Sequence, residues 1–326
     1  MGTLPIHRVA TTLPFFHYLQ QQGVNIKHEL QLAKLPVLAM HNPDSFIPSR
    51  NYWNLIANVA THKEFKEMGF IVGQQSADIA TKPGLAKPML PLESLHKALV
   101  QFCDTGSKQI SRVELWLEPT DKYTHYLHYQ TSFGPEHIAY SHFQWYGLMA
   151  AISTIRQYIG PQWTPRLIGL GSAKDPGLHA HKYFPETDFL TNQEHCFISI
   201  SNRLLGDDLL QSQHHKVADP SPDFIDSLKR VLRSYLLDGV PSIDLAADIS
   251  CLSKRTLQRK LDAKGLNYRN LISGLRYEIA TELMQNNEHC ITNISNQLGY
   301  SDPTHFSRAF RRKAGISPHE YLRQLS

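Results

Sequence analysis

Apolar residues recur at helical spacing through much of the first two hundred positions. Residues 12–22 carry Leu13, Phe15, Phe16 and Leu19, and residues 51–61 carry Trp53, Leu55, Ile56, Val59 and Ala60. Leu92, Leu95, Leu99 and Phe102 continue the pattern, so three helices are predicted over 12–22, 51–61 and 92–102. Two strand-like stretches follow at 112–117 and 123–130, the second alternating aromatic residues with histidines. The longest apolar face joins Ile138, Trp145, Leu148, Met149, Ile152, Ile155 and Ile159, and Gly160-Pro161 stops it. Short apolar runs at 166–170 and 196–200 predict further strands. Residues 1–205 are thus expected to form an α+β domain. The polar stretch 206–222, with Pro220 and Pro222, keeps no period and reads as a linker to a second domain over 223–326.

In that second domain the helical rhythm repeats with short interruptions. Ile243, Ala246, Ala247 and Ile249 lead across Cys251-Leu252 into Ser253-Lys254-Arg255-Thr256-Leu257-Gln258-Arg259-Lys260-Leu261. Some fifty residues later, Ile291, Ile294 and Leu298 lead across Gly299-Tyr300 into a helix holding Phe306 and Phe310. Each block has the form of a helix-turn-helix. Its second helix needs an apolar inner face and a polar or basic face toward the major groove. Leu257 and Leu261, four apart, share one inner face, and Phe306 and Phe310 share the other. Arg255, Gln258 and Arg259 are left outward in the first unit, and Thr304, Ser307 and Arg308 in the second. Arginine pairs with guanine and glutamine with adenine, so these are the candidate base readers. Ser253 and Ser301 are expected to cap the reading helices and face phosphate, with Lys254, Lys260, Arg311, Arg312 and Lys313 as further phosphate contacts. One such unit alone could be an amphipathic helix pair with a solvated basic face; two with matched turn, cap and inner face predict sequence-specific binding to double-stranded DNA. The helix predicted over 268–285 would span about 27 Å, near the roughly 34 Å between successive major-groove faces.

Composition agrees. With 326 residues, 41% of them hydrophobic and 19% charged, the chain has the size and balance of about two globular domains. The formal net charge of +4 lies wholly after residue 220, where 15 Lys/Arg face 11 Asp/Glu, as expected if that part meets a polyanion. Cys103, Cys196, Cys251 and Cys290 show no metal-binding or disulfide spacing. The N-terminus lacks the layout of a secretory signal and no long apolar run is present, so a cytoplasmic protein without membrane contact is expected. His179-Ala180-His181, read as a strand, would place both imidazoles on one face with no third ligand, and no metal or other cofactor is expected. Phosphate-loop, GxSxG and HExxH patterns are absent, and Cys103 and Cys196 stand without an activating neighbour in sequence, so an enzyme is not expected.

The stretch from Ile294-Ser295-Asn296-Gln297-Leu298-Gly299-Tyr300 through Ser301-Asp302-Pro303 to Arg311-Arg312-Lys313-Ala314-Gly315-Ile316-Ser317-Pro318 closely resembles the DNA-binding domain of the AraC/XylS transcription regulators. The resemblance implies seven helices in that domain and, in most members, transcriptional activation. It carries base reading over to Arg255, Gln258 and Arg259, and to Pro303, Thr304, Ser307 and Arg308, where Pro303 can offer only apolar contact. Tyr52-Trp53-Asn54-Leu55, Trp163-Thr164-Pro165 and the segment from Phe184 to Ile200 resemble, more weakly, an arabinose-binding-type regulatory domain of a subgroup of that family. The combined expectation is an α+β N-terminal regulatory domain followed by an all-α DNA-binding domain with two helix-turn-helix units joined by a long helix. The expected function is an activator gated by a small molecule held among Trp53, Trp145, Tyr146 and Trp163. The alternative is a constitutive or partner-controlled regulator whose N-terminal domain only dimerises. Expected partners are DNA, RNA polymerase and the effector, with homodimerisation left open.

Overall fold

A computed structural model describes residues 3–79, 93–120, 124–131, 133–205, 215–216, 223–286 and 290–325. The first stretch holds β1 (Ile6–Arg8), α1 (Leu13–Gln21), α2 (Ile26–Leu32), β2 (Phe46–Pro48), α3 (Ser49–Ala60) and α4 (Met68–Ile79). Then come α5 (Leu95–Gln109), β3 (Glu114–Pro119), β4 (Thr124–Gln130), α6 (Tyr140–Ile159), β5 (Leu167–Gly169) and α7 (Leu178–Tyr183). After β6 (Asp188–Leu190), β7 (Cys196–Ser201), α8 (Asn202–Leu205) and β8 (His215–Lys216), the remaining elements are helices. These are α9 (Phe224–Tyr235), α10 (Ile243–Ile249), α11 (Lys254–Asp262), α12 (Tyr268–Gln285), α13 (Ile291–Gln297), α14 (Pro303–Ala314) and α15 (Pro318–Leu325). The chain divides into two compact units, one of Ala10–Glu29 and Tyr52–Ser221, the other of Met1–Val9, Leu30–Asn51 and Pro222–Ser326.

The first unit is α+β, built on a six-stranded sheet of order β6-β5-β7-β4-β3-β8. Pairing is antiparallel except between β5 and β6. Alternation decides the faces: His125, Leu127 and Tyr129 of β4 and Cys196, Ile198 and Ile200 of β7 are buried on the same side. The helix predicted over 138–159 is observed as α6, and it ends where predicted: Gly160 takes φ +120° and its N–H donates to the Arg156 carbonyl at 2.9 Å. α5 starts later than the spacing suggested because the Ser94 hydroxyl caps it, accepting from the Lys97 N–H at 3.3 Å. α4 was not visible in the apolar pattern, since glycines occupy part of its packing face. A Cβ on Gly69 would lie 2.2 Å from the backbone of His142, and one on Gly73 would lie 2.7 Å from Met149. Here the absent side chains are the packing signal.

The second unit is helical apart from the β1–β2 ribbon, which pairs Ile6 with Pro48 and Arg8 with Phe46. Its core gathers Leu228, Leu232, Ile249, Leu257, Leu261, Leu275, Ile294, Phe306 and Phe310. The same cluster includes Leu4 and Ile6. The expected boundary at residue 205 therefore does not describe the packing: two early segments, Met1–Val9 and Leu30–Asn51, pack with the C-terminal helices. Polar contacts fix them there. The backbone N–H groups of Val37 and Leu38 donate to the Asp238 carboxylate at 2.5 and 2.7 Å, and the Tyr235 hydroxyl donates to the Lys34 carbonyl at 2.5 Å. The Phe46 N–H reaches the Ser234 hydroxyl at 3.1 Å, and Lys34 pairs with Asp248 at 2.6 Å. No periodicity argument reports contacts two hundred residues apart. Of the expected linker 206–222, only β8 lies within the described residues, and it pairs with β3.

Candidate nucleic-acid interface

The first reading unit is α10, a turn and α11. Cys251 holds the turn in the left-handed region at φ +57°, and the Leu252 N–H returns to the Ala247 carbonyl at 2.9 Å. Ser253 caps α11, its hydroxyl accepting from the Thr256 N–H at 3.2 Å. Leu257 and Leu261 are buried while Arg255, Gln258 and Arg259 are exposed on the same short helix. The unit thus presents two guanidiniums and an amide on its outward side.

The second unit, α13–turn–α14, uses the same device. Gly299 takes φ +68° and the Tyr300 N–H returns to the Ser295 carbonyl at 3.1 Å. One detail differs from the expectation. The cap is Asp302, not Ser301: its carboxylate accepts from the N–H groups of Thr304 and His305 at 2.6 and 3.0 Å. The cap follows the left-handed residue by two positions in the first unit and by three in the second. The turn is one residue longer, so Phe306 rather than His305 falls where Leu257 does, and Thr304, Ser307 and Arg308 fall where Arg255, Gln258 and Arg259 do. Asp302 followed by Pro303 at the first helical position was the available signal, a capping residue before a first-turn position whose N–H has no acceptor within the helix.

The outward residues are not equally available. Arg259, Arg308, Arg311, Arg312 and Lys313 are exposed. Lys254 pairs with Asp244 at 3.1 Å, and the Lys260 ammonium lies 4.6 Å from the centre of the Phe224 ring, so both divide their charge with this unit. The Ser307 hydroxyl donates to the Pro303 carbonyl at 2.8 Å and offers its lone pairs outward. The amides hydrogen-bonding to Asp302, helped by His305, hold its carboxyl below the usual range, so a negative charge sits at the start of α14. α12 joins the units. Its Arg276 donates to the Gly299 carbonyl at 2.9 Å and stacks over Tyr300 at 4.2 Å, locking the second turn to the connecting helix. Sequence reasoning missed Arg276 because no local pattern marks a clamp made twenty-three residues away.

The four aromatic residues expected around an effector do not come together. Trp53 is 2% exposed and stacks on Phe143 at 4.2 Å, and Trp145 packs edge-on against Phe70 at 5.1 Å. Tyr146 leans on Phe15, and burial pushes its hydroxyl up to about 12. Of the four, Trp163 lines a cavity of about 490 Å³ at the surface of the α+β unit, and the other three do not border it. His179 and His181 lie on α7 rather than on a strand. They pair with different acids, Glu67 at 2.7 Å and Asp175 at 3.4 Å, and no group of three or more metal-ligating residues occurs among the described residues. Burial pushes the Cys103 thiol up to about 12, and that of Cys196, which donates to Gln144 at 3.1 Å, also upward, so both are protonated thiols. No helix among the described residues is long and apolar enough to cross a membrane.

Two capped reading helices set in one helical core define a tandem helix-turn-helix domain. A model of the family described as "Helix-turn-helix domain" matches residues 246–324. The HTH-type transcriptional activator RhaS of Escherichia coli is 40% identical over 90 residues, 27% of this chain and 32% of that protein. The HTH-type transcriptional regulator VqsM of Pseudomonas aeruginosa is 36% identical over 84 residues, 26% of each chain. Over its matched length the chain thus spans only about a quarter to a third of these relatives. Among solved structures, the transcriptional regulator CdpR of P. aeruginosa aligns over 96% of this chain and 98% of its own, at 17% identity and a TM-score of 0.39. An AraC-type regulator of Chromobacterium violaceum aligns over 29% of this chain and 85% of its own, at 26% identity and a TM-score of 0.28. The C-terminal region is a helix-turn-helix domain of the AraC type.

Proposed function

We propose that this protein is a sequence-specific DNA-binding regulator of transcription, an activator whose DNA binding responds to a small molecule held by the α+β unit. The observation that carries the reading is the pair of capped helices, each with a buried inner face and an exposed polar or basic outer face. Arg255, Gln258 and Arg259 read bases in one major groove, and Thr304, Ser307 and Arg308 read the next, with Pro303 adding apolar contact. Ser253, Lys254, Lys260, Ser301, Arg311, Arg312 and Lys313 meet the flanking phosphates. Activation, through contact with RNA polymerase, follows from the likeness to a relative named as an activator. Gating rests on the α+β unit offering a solvent-reaching cavity. A ligand regulates only if it binds one arrangement of the protein better than another.

The test is selection of bound sequences from random DNA by the full chain, with and without a metabolite extract. Enrichment of a motif with two parts about one helical turn apart is expected, and its affinity should change when extract is added. Failure to enrich any motif would overturn the DNA-reading assignment, while a motif indifferent to extract would remove gating alone.

A further inference from the structure

The sheet of the α+β unit has a second face, and its residues alternate out of the core. Thr124 and Tyr126 of β4 stand opposite Ser201 and Ser199 of β7, and Leu167 of β5 stands beside Asp188 of β6. Together with Trp163, Thr164, Arg166 and Leu204 they line the 490 Å³ cavity, a volume within the usual range for a small-molecule site.

Its walls are fixed before any ligand arrives. Arg156 donates to the Trp163 carbonyl at 2.8 Å, and the Thr187 hydroxyl donates to the Pro165 carbonyl at 2.6 Å. The Asp188 N–H donates to the Arg166 carbonyl at 2.9 Å. Tyr126 is held by stacking on Phe197 at 4.3 Å and 9°. The Ser199 hydroxyl accepts from the Leu167 N–H at 3.0 Å, which leaves its own proton to donate.

The charges are arranged differently. Arg166 and Asp188 border one cavity, yet neither side chain makes an ion pair or hydrogen bond among the described residues. Arg166 directly precedes β5 and Asp188 opens the paired β6, yet both side chains are exposed and each is left to solvent. A fork of guanidinium donors beside a separate carboxylate matches a molecule carrying both signs.

Resting on the gated-regulator reading, the geometry points to a zwitterionic effector, a free α-amino acid or close derivative. Arg166 takes its carboxylate and Asp188 its ammonium, while Ser199, Ser201, Thr124 and Thr164 complete the polar contacts. The side chain of the effector lies against Trp163, Tyr126, Leu167 and Leu204. A sugar would leave both charges unanswered, a fatty acid would answer only Arg166, and a simple amine only Asp188.

The full chain is titrated with each of the twenty L-amino acids, following tryptophan fluorescence and thermal melting. Any binder is then compared with its amine lacking the carboxylate and its acid lacking the amino group. At least one amino acid should bind, and each truncated analogue should bind about tenfold more weakly or worse. Arg166→Gln should erase the preference for the carboxylate and Asp188→Asn that for the ammonium, with Arg166→Lys recovering part of the first and ligand-free melting reporting that each variant folds. Silence toward all twenty, equal binding of the truncated analogues, or binding untouched in both variants would overturn the assignment. The selected DNA motif is measured in parallel: an amino acid that binds without changing DNA affinity removes the gating reading and leaves the site, whereas extract-dependent DNA binding with no amino acid bound does the reverse.

Discussion

On the proposed reading, two arginines of α14 divide the work of base and phosphate contact. Arg308 occupies the position that Arg259 holds in the first unit, outward beside a buried phenylalanine, whereas Arg312 stands a turn later in the basic end of the helix. Arg308→Ala should cost roughly 1–3 kcal/mol on the selected motif and relax preference at one base position. Arg312→Ala should weaken binding to all sequences alike and reduce the slope of log affinity against log salt by about 0.9. Competition titrations over a range of salt separate these outcomes. In the α+β unit, His142 is a residue-scale determinant of stability. Burial, with Lys174 nearby, pulls its imidazole down to about 4 from an ordinary value near 6.5, and its Nδ1 accepts from the Gly69 N–H at 3.2 Å. Between those values the unfolded chain holds a proton that the folded chain refuses, so stability falls as pH falls from about 6.5 toward 4. The loss from pH 7 to pH 5 should be about 2 kcal/mol from this group alone. Denaturant melts of His142→Gln, whose amide oxygen can still accept from Gly69, should show a shallower acid slope by that amount.

At the scale of elements, α4 and α6 meet through missing atoms. Gly69 lets α4 lie against the backbone of His142, so a methyl group there has no flexible neighbour to displace. Gly69→Ala should destabilise the α+β unit by about 3 kcal/mol, read as a lower melting temperature. Glycines in an apolar stretch dilute a hydrophobic pattern while marking the closest helix contact, which is why α6 was legible in the sequence and its partner was not. The reading helices show the converse. α10 to α14 could be located because capping residues, buried periodic positions and left-handed turns are local and nearly repeated between the units. The repeat failed at one position, where the longer second turn moved the cap from Ser301 to Asp302. That shift has an electrostatic consequence. α11 presents a neutral serine at its N-terminus, and α14 presents a carboxylate that repels phosphate and occupies amides a phosphate could use. Asp302→Asn keeps the capping geometry without the charge, and should tighten binding to the selected DNA by about threefold at low salt, the gain fading as salt rises.

Over the whole molecule, chain order and packing part company. A fragment beginning at Asp223 contains all seven helices α9–α15 but not Leu4, Ile6 or the β1–β2 ribbon that share its core. Ile6 is 2% exposed, and the backbone around residues 34–46 is bonded to Tyr235, Asp238 and Ser234. These contacts join positions some two hundred apart, so they appear in neither motif nor periodicity. The same holds for the cavity bordered by Arg166 and Asp188, which exists only once β5 and β6 pair. If the early segments are structural parts of the DNA-binding unit, Ile6→Ala should destabilise that unit by about 2–4 kcal/mol although it lies more than two hundred residues before α9. Hydrogen exchange of the full chain gives the decisive pattern: amides of α9 should lose protection along with those of β1 and β2, because their burial is shared. Loss confined to β1 and β2, with α9 protected as before, would make the early segments an accessory layer and restore residues 223–326 as a domain complete in itself.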